Sequence, residues 1–464
     1  MKTIKKSKWP EWIKAQLGDG KNKEVKLSNG NLYLYEYKNT YNKKLKRSEK
    51  TTRYLGVLKQ ISRGKIYEHG QVAFLLHLIS KHRLLEKIKK HFPDQWKEIL
   101  AFSLNRVISS APLKRIGSWV EKTTLTHYLK TNNLSGKWLS DALGEVGINV
   151  KGQSAFMHEL IKDKELLLYD GSVIYSNAQY NKLLEIGYDK NKLFLPKANI
   201  TLLFSKDRNV PVHFRLFFGS VHEIRTMKTI IDEISNKNII FVADKGYYKN
   251  KLYDELNALH INFVMPLPRD DNRIDYNKKC SKIFDYNKRI IKYTSYKVGK
   301  YYLYHYEDQY LKYEETTTYY KLKLAKKKVK LNQKLAGKIA ILSNIKLSPK
   351  KIYLIWKSRD RIEKAFNILQ NYLETDNPYI SREETFRGYL FASFISLILY
   401  YLILNVLQKY KINDKVSVDD ILFEFSKIMV EDRKYLCFTE IPLKVEELAK
   451  KIKVYDIITK IGES

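Results

Sequence analysis

Cysteine is almost missing from this chain. Its 464 residues hold two, Cys280 and Cys437, far apart and outside any paired motif. That spacing implies neither a disulfide framework nor a zinc site, and it fits a reducing compartment. Apolar residues are sparse at the start as well: MKTIKKSKWPEWIKAQ is charged and has no apolar core of leader length, so it is not expected to act as a secretory leader. The expected location is the cytoplasm, against the nucleoid. Long uncharged runs are scarce. The exception, Gly388 to Leu404 (GYLFASFISLILYYLIL), is 17 residues, at the short limit for a membrane span. It is expected to be a buried core helix, with no membrane partner; a membrane-associated basic protein built around it is a competing reading. No internal repeat stands out.

Negative charge is also in deficit, with 50 Asp and Glu against 85 Lys and Arg and a net charge of +35. Such an excess attracts polyanions and speeds their encounter. Nucleic acid is the expected partner and an anionic membrane surface the competitor, although the Lys- and Asn-rich composition of an AT-rich genome gives part of the same excess. What is present is a globular composition, 44% hydrophobic and 13% aromatic, which excludes a disordered chain. The length is enough for two or three domains and a substantial core.

The first 50 residues carry 14 basic and 5 acidic side chains. Leu32 to Tyr37 is strand-like, and Lys43 to Arg53 is a basic turn region. Residues 1–65 therefore read as a basic, β-rich N-terminal region. From Gly70 the period changes: Leu75, Leu76, Leu78, Ile79 and Leu84, then Ile99, Phe102, Leu104 and Val107, recur at helical spacing. Residues 66–150 read as a helical domain that binds DNA. Strands follow at Glu165–Asp170, Asn199–Phe204 and Val210–Phe218, then a helix at Ile224–Ile234, a strand at Asn238–Ala243, a helix at Asn250–Leu259 and a strand at Asn262–Met265. This order predicts an α/β mixed sheet of RNase H-like type. Its first part spans 151–270, its second 338–410. Between them, 271–337 alternates tyrosine with polar residues and reads as a β-rich basic insertion. Lys321 to Lys351 holds 11 lysines and no acid. Lys326, Lys327 and Lys328 are the densest cluster, suited to tracking phosphates beside stacking tyrosines. Ser348-Pro349 is a helix start. The helix after it carries an apolar stripe of Ile352, Ile355, Ile362, Phe366 and Leu369, with Arg359 and Glu363 on one face beside it. Residues 411–464 read as a C-terminal helical region expected to mediate dimerisation.

Three carboxylates stand out. Asp170 follows Leu166-Leu167-Leu168-Tyr169 and precedes Gly171-Ser172; Asp244 follows Ile239-Ile240-Phe241-Val242-Ala243 and precedes Lys245-Gly246-Tyr247; Glu363 lies on the helix. Two acids at strand ends and one on a helix can meet at a point, and three hard oxygen donors there suit Mg²⁺ or Mn²⁺. Such a set can hold two ions about 3.5–4 Å apart, which activate an attacking water or 3′-hydroxyl and stabilise the leaving oxygen. Asp170 is expected to bridge them, with Asp244 and Glu363 each completing one.

These residues resemble the DDE transposases of prokaryotic insertion sequences, in the insertion-sequence-four-like branch, over roughly residues 30 to 450. Tyr169-Asp170-Gly171-Ser172 resembles the first motif and Ala243-Asp244-Lys245-Gly246-Tyr247 the second. Arg359 and Glu363 match the Tyr-Arg-Glu-Lys helix, whose Tyr position is Trp356 here and whose Lys position is Gln370. Phe218-Gly219-Ser220, with Glu223 where the family has Asp and then Thr226-Met227, is similar to the segment between the first two acids. The resemblance implies catalytic, metal-holding Asp170, Asp244 and Glu363. It also implies DNA contacts from Arg359, Trp356, Gln370 and Lys245, beside Lys326, Lys327 and Lys328. Cleavage at element ends and strand transfer into target DNA are the implied reaction, by a homodimer on double-stranded DNA carrying terminal inverted repeats. A metal-dependent nuclease without strand transfer, and a decayed transposase that only binds DNA, are the alternatives.

Overall fold

The computed structural model describes residues 2–460 apart from 18–19, 29–30, 44, 59–64, 132–133, 179, 187–194, 222, 235–238, 245–249, 327–330, 376–377 and 433–435. It divides into two units, Met1–Ile66 with Glu431–Cys437, and Tyr67–Val430 with Phe438–Ser464.

In the first unit, β1 (Lys2–Ile4), β2 (Lys23–Ser28), β3 (Asn31–Asn42) and β4 (Arg47–Leu58) form an antiparallel sheet in chain order, with helix α1 (Glu11–Leu17) between β1 and β2. Trp9, Ile13, Val25 and Leu58 make its small core. The register of β3 on β4 shifts at Leu34/Tyr35, opposite Gly56. Gly56 has a φ of +149°, a conformation that suits a residue without Cβ at a bulge. Beyond the bulge the ribbon exposes Lys38, Arg47, Lys50 and Arg53.

A short strand, β5 (Lys65–Glu68), is followed by α2 (Gly70–Lys81), α3 (Leu84–His91), α4 (Trp96–Ile108), α5 (Leu113–Glu121), α6 (Leu125–Leu129), α7 (Gly136–Ile148) and α8 (Val150–Leu160). The apolar spacing seen in the sequence becomes their buried face: Leu75, Leu78 and Ile79 on α2, Ile99, Phe102 and Leu104 on α4. Ser135 and Asn149 cap α7 and α8, accepting from Trp138 N and Gly152 N at 3.3 and 2.9 Å.

The main sheet contains β6 (Leu166–Tyr175), β7 (Lys197–Ser205), β8 (Val210–Phe218), β9 (Ile240–Val242), β10 (Asn262–Leu267), β11 (Lys282–Tyr286), β12 (Arg289–Val298), β13 (Tyr301–Asp308) and β14 (Lys338–Ser343). Their order is β11-β12-β13-β14-β10-β9-β6-β7-β8. β6, β7 and β8 are antiparallel neighbours, while β9 and β10 join β6 in parallel on its other side. Strands one to three antiparallel, then four and five parallel beside strand one, is the RNase H-like arrangement expected from the sequence. Helices α9 (Glu223–Ile234) and α10 (Asn250–Ala258) cover one face, where Tyr169 meets Thr226 and Tyr253 packs on Phe263.

The insertion's strands join the main sheet: β14 pairs with both β10 and β13, so β11–β13 extend it. One difference from expectation is that the insertion also contains a helix, α11 (Gln309–Leu324). The Thr and Tyr content of this stretch favours strands, but Asp308 caps it, accepting from Tyr310 N and Leu311 N at 2.9 and 3.1 Å. Lys326 follows α11, exposed, in the left-handed region at φ 57°.

The second face is covered by α12 (Pro349–Lys357), α13 (Asp360–Asn367), a π-helical turn at Ile368–Tyr372, and α14 (Glu383–Lys409). After it come α15 (Val418–Ser426), β15 (Met429–Asp432), β16 (Leu436–Phe438), α16 (Leu443–Lys451) and α17 (Tyr455–Ile458), so the C-terminal region has short strands among its helices. α14 holds the Gly388–Leu404 run. It is long and apolar enough to cross a membrane by length and composition, but 78% of its most apolar window is buried within the protein. Phe391 and Phe394 pack on Phe214 of β8, Tyr401 on Phe204 of β7, and Ser103 of α4 donates to Ala392 O at 3.0 Å. α14 thus ties the helical layer to the sheet.

Close approach of α14 to α7 needs glycine on both sides. A Cβ on Gly388 would lie 1.8 Å from Leu143 O, and one on Gly147 1.7 Å from Glu384 O. Gly388→Ala is therefore expected to force the helices apart and destabilise the second unit by about 1–3 kcal/mol, the usual cost of overpacking. Denaturant unfolding of the variant against wild type measures this, and equal midpoints would refute the close approach.

Candidate active site

Strand register decides which acids become neighbours. β6 and β9 pair through Leu166–Ile240, Leu167–Phe241 and Leu168–Val242. Asp170 lies two residues past Leu168, and Asp244 two past Val242. Side chains alternate along a strand, so each acid keeps the face of the residue two before it. Adjacent strands run about 4.8 Å apart, so the two carboxylates project side by side. The structure corrects one expectation. Asp170 lies beyond the pairing with β9, which stops at Leu168, but it does not end its own strand, for β6 continues against β7 as far as Tyr175. Pairing on one edge fixes the Asp170 backbone, while the other edge is open toward Asp244.

The third acid comes from the face where α13 packs on β6 and β7. The sequence predicts one helix through Ile352 and Leu369, but the structure breaks it between Lys357 and Asp360. At the break Ser358 Oγ donates to Ile355 O at 2.5 Å, and Arg359 starts the second piece. Arg359 faces all three acids. Its Nη1 donates to Asp244 Oδ1 at 2.9 Å, and its Nη2 lies 3.6 Å from Glu363 Oε1 and 4.0 Å from Asp170 Oδ2. Its side chain is 11% exposed, and its Nε is buried without a hydrogen-bond acceptor among the described residues.

Asp170 is the most enclosed acid. Burial pushes its carboxyl up to about 6, against the Gly171 N–H and Arg359, which favour the charge, while Asp244 and Glu363 push the same way as burial. Gly171 N donates to Asp170 Oδ1 at 2.9 Å. One guanidinium among three carboxylates leaves two formal negative charges, which a divalent cation matches. The donors are all hard oxygens, as Mg²⁺ or Mn²⁺ requires, so this donor set fits the group. The three do not close to within 4.8 Å of one another; among the described residues the cluster that does is Cys280, His305 and Glu307. Arg359 stands among the acids instead.

The other expected residues divide. Gln370 sits in the π-helical turn, where Leu373 N reaches back to Ile368 O at 2.9 Å. Such turns are frequent at functional sites. Its Nε2 donates to Ser172 Oγ at 3.2 Å and Val173 O at 2.7 Å, so its amide is spent on β6. Trp356 packs against Tyr353 with ring centroids 5.6 Å apart, and Lys357 lies 4.8 Å over its ring. Lys326 belongs to the insertion, on a different element from the acids. Lys245, Lys327 and Lys328 lie outside the described residues. Sequence reasoning missed Arg361 and Lys364, which line a groove with Glu363, Tyr400 and Tyr401. Their spacing beside Glu363 on one helix was the available signal.

Comparison with known proteins bears on this geometry. The family model described as "Transposase DDE domain" matches residues 161–399, just over half of the chain. No curated protein matches it. A solved piggyBac transposase synaptic complex with hairpin DNA aligns at 11% sequence identity and a TM-score of 0.43, covering 72% of this chain and 70% of that one. The matched residues contain Asp170, Asp244 and Glu363 and run from before β6 into α14. The chain belongs to the DDE transposase family.

Proposed function

We propose that this transposase cuts the ends of its own element and joins the freed 3′-hydroxyls to target DNA, with Asp170, Asp244 and Glu363 holding two Mg²⁺ or Mn²⁺ ions. The observation that carries this is the register: pairing of β6 with β9 stops at Leu168–Val242, which leaves Asp170 and Asp244 side by side, facing Arg359 and Glu363. Bound ions would activate the attacking hydroxyl and offset charge on the leaving oxygen. The chain's own residues position and neutralise. Strand β6 fixes Asp170, and Arg359 holds the acids together before DNA arrives. Its planar fork can then turn to a backbone phosphate, which it matches with two parallel N–H donors. The net charge of +35 draws the duplex in.

The finer assignment is the insertion-sequence-four-like branch, acting as a homodimer on paired terminal repeats through helices after Asp414, in the cytoplasm. The expected DNA contacts are Arg359, Trp356, Lys245 and Lys326 to Lys328. A second reading, a chain that binds DNA but no longer cuts it, is favoured by Gln370, whose amide donates to β6 and carries no charge for a phosphate.

With DNA bearing the gene's flanking repeats and Mg²⁺ or Mn²⁺, wild type is expected to cleave and join. Asp244→Ala should lose both activities by about 10³-fold or more, since ion clamping supplies several kcal/mol and each 1.36 kcal/mol is tenfold. Nicking without joining in the wild type would identify a nuclease. Tight binding without cutting would identify a decayed transposase, and Gln370→Lys would then be the first reversion to assay.

Asp170 also sets a pH dependence. Its folded-state carboxyl is raised to about 6, so below that pH a proton competes with the metal. Mn²⁺ affinity of the DNA-free protein, followed by calorimetry, should fall about tenfold per unit as pH drops below about 6, then level off above about 7. The metal-free protein runs the other way: a raised carboxyl means the folded state binds more protons, so stability from this group is present at low pH and lost as pH rises through about 6. Mn²⁺ affinity that stays flat from about pH 5 to 7 would remove Asp170 from the ligand set.

A further inference from the structure

We propose that the insertion carries a second metal site, separate from the three acids, in which Cys280, His305 and Glu307 bind one zinc-class cation. The sequence gives no hint of it, since Cys280 stands 25 residues from His305. The fold makes the cluster. His305 and Glu307 lie two apart on β13 and so share a face. On the opposite face Tyr304 and Tyr306 donate to Leu347 O and Pro349 O at 3.0 and 2.8 Å, beside α12. The His305 face is covered by the stretch between β10 and β11. There Tyr276 sets its ring edge-on to His305 at 5.1 Å and donates to Arg269 O at 2.8 Å. Cys280, just before β11, completes the set, with one ligand atom from each residue within 4.8 Å of the others.

The distances suit the ion. Zinc bonds of about 2.3 Å to sulfur and 2.0–2.1 Å to nitrogen, at a tetrahedral angle, place the two ligand atoms about 3.6 Å apart. Cys280 Sγ and His305 Nδ1 are 3.7 Å apart. The thiol spans that separation as a hydrogen bond in the metal-free chain, and the same separation suits a shared metal. A thiolate, an imidazole and a carboxylate are the donors that borderline-soft zinc takes, and three protein ligands leave a fourth position for water. His305 is 1% exposed, and burial holds its ring neutral, as ligation requires. Burial also pushes the Cys280 thiol up to about 11, so this is not a reactive nucleophile. On binding, the S–H proton leaves to solvent and the S–metal bond takes its place. Lys338 Nζ lies 3.7 Å from Glu307 Oε1 and 4.8 Å over the Tyr276 ring, so it neutralises the carboxylate and would share it with the ion. A cation here would pin the stretch around Tyr276 and Cys280 to β13, within the sheet that continues to β10, β9 and β6.

The test uses the full-length, reduced, metal-free chain, with Co²⁺ as the optical probe and Zn²⁺ as its competitor. One equivalent of Co²⁺ is expected to give thiolate-to-metal charge-transfer absorption that Zn²⁺ abolishes. Cys280→Ser should lose the band and Cys437→Ser should keep it. His305 is in the core and its variants can fail to fold, so Glu307→Gln provides the second arm and should weaken Co²⁺ by roughly tenfold or more. The site is overturned if the wild type shows no thiolate band, if the band survives Cys280→Ser, or if Glu307→Gln binds as wild type does.

Discussion

Three rungs of parallel sheet, Leu166–Ile240, Leu167–Phe241 and Leu168–Val242, are the constraint on which the candidate active site depends. The side-chain period of a strand is two, so a one-residue slip of β9 would turn Asp244 away from Asp170 and put Val242 on the wrong face. Hydrophobic burial guards that register. Leu167, Leu168, Phe241 and Val242 are fully buried against helices on both faces, and a slip would exchange their shapes between two packed faces, a repacking that costs about 1–3 kcal/mol. The geometry of the acids is thus enforced by residues that take no part in chemistry.

The acids carry the opposite cost. Three carboxylates around a largely enclosed point repel one another, and burial, with the charges of Asp244 and Glu363 added, lifts Asp170 to about 6. Arg359 reduces the problem without abolishing it. It reaches all three, yet its nearest contacts to Glu363 and Asp170 are 3.6 and 4.0 Å, longer than charge-assisted hydrogen bonds. Its own Nε has no acceptor among the described residues. A buried cation so incompletely paired is held by geometry as much as by attraction. The break in the helix at Ser358 supplies that geometry, because Arg359 begins α13 rather than continuing α12.

Much of this was legible in the sequence, for a physical reason. β6, β7 and β8 are apolar runs bounded by polar turns, and their core positions fall where the runs fall. Asp170 and Asp244 interrupt such runs, so their exceptional status could be read locally. The burial of α14 was legible as well, since a 17-residue run is short for a membrane and rich enough for a core. What could not be read depends on pieces far apart in the chain. The strand character of Thr and Tyr hid α11, which a single Asp308 cap starts. The continuous apolar stripe from Ile352 to Leu369 hid the break at Ser358, which depends on one hydroxyl bonding to its own turn. The grouping of Cys280 with His305 exists only because β13 lies beneath the stretch before β11.

The insertion then takes on a different meaning from that of a module added to the side of a core. Because β14 pairs with β10 and with β13, the insertion and the strands that carry Asp170 and Asp244 are one sheet. α12 lies against the insertion, with Tyr353 set among Phe284, Tyr286 and Tyr306, and Trp356 beside Tyr353. α13 lies against β6 and β7. The break between α12 and α13 falls where the chain passes from one support to the other, and Arg359 stands at that point. Tyr353 and Trp356 link the insertion to the segment that carries Arg359. The position of the guanidinium is therefore set from two sides, by the aromatic packing of the insertion and by the carboxylates of the core.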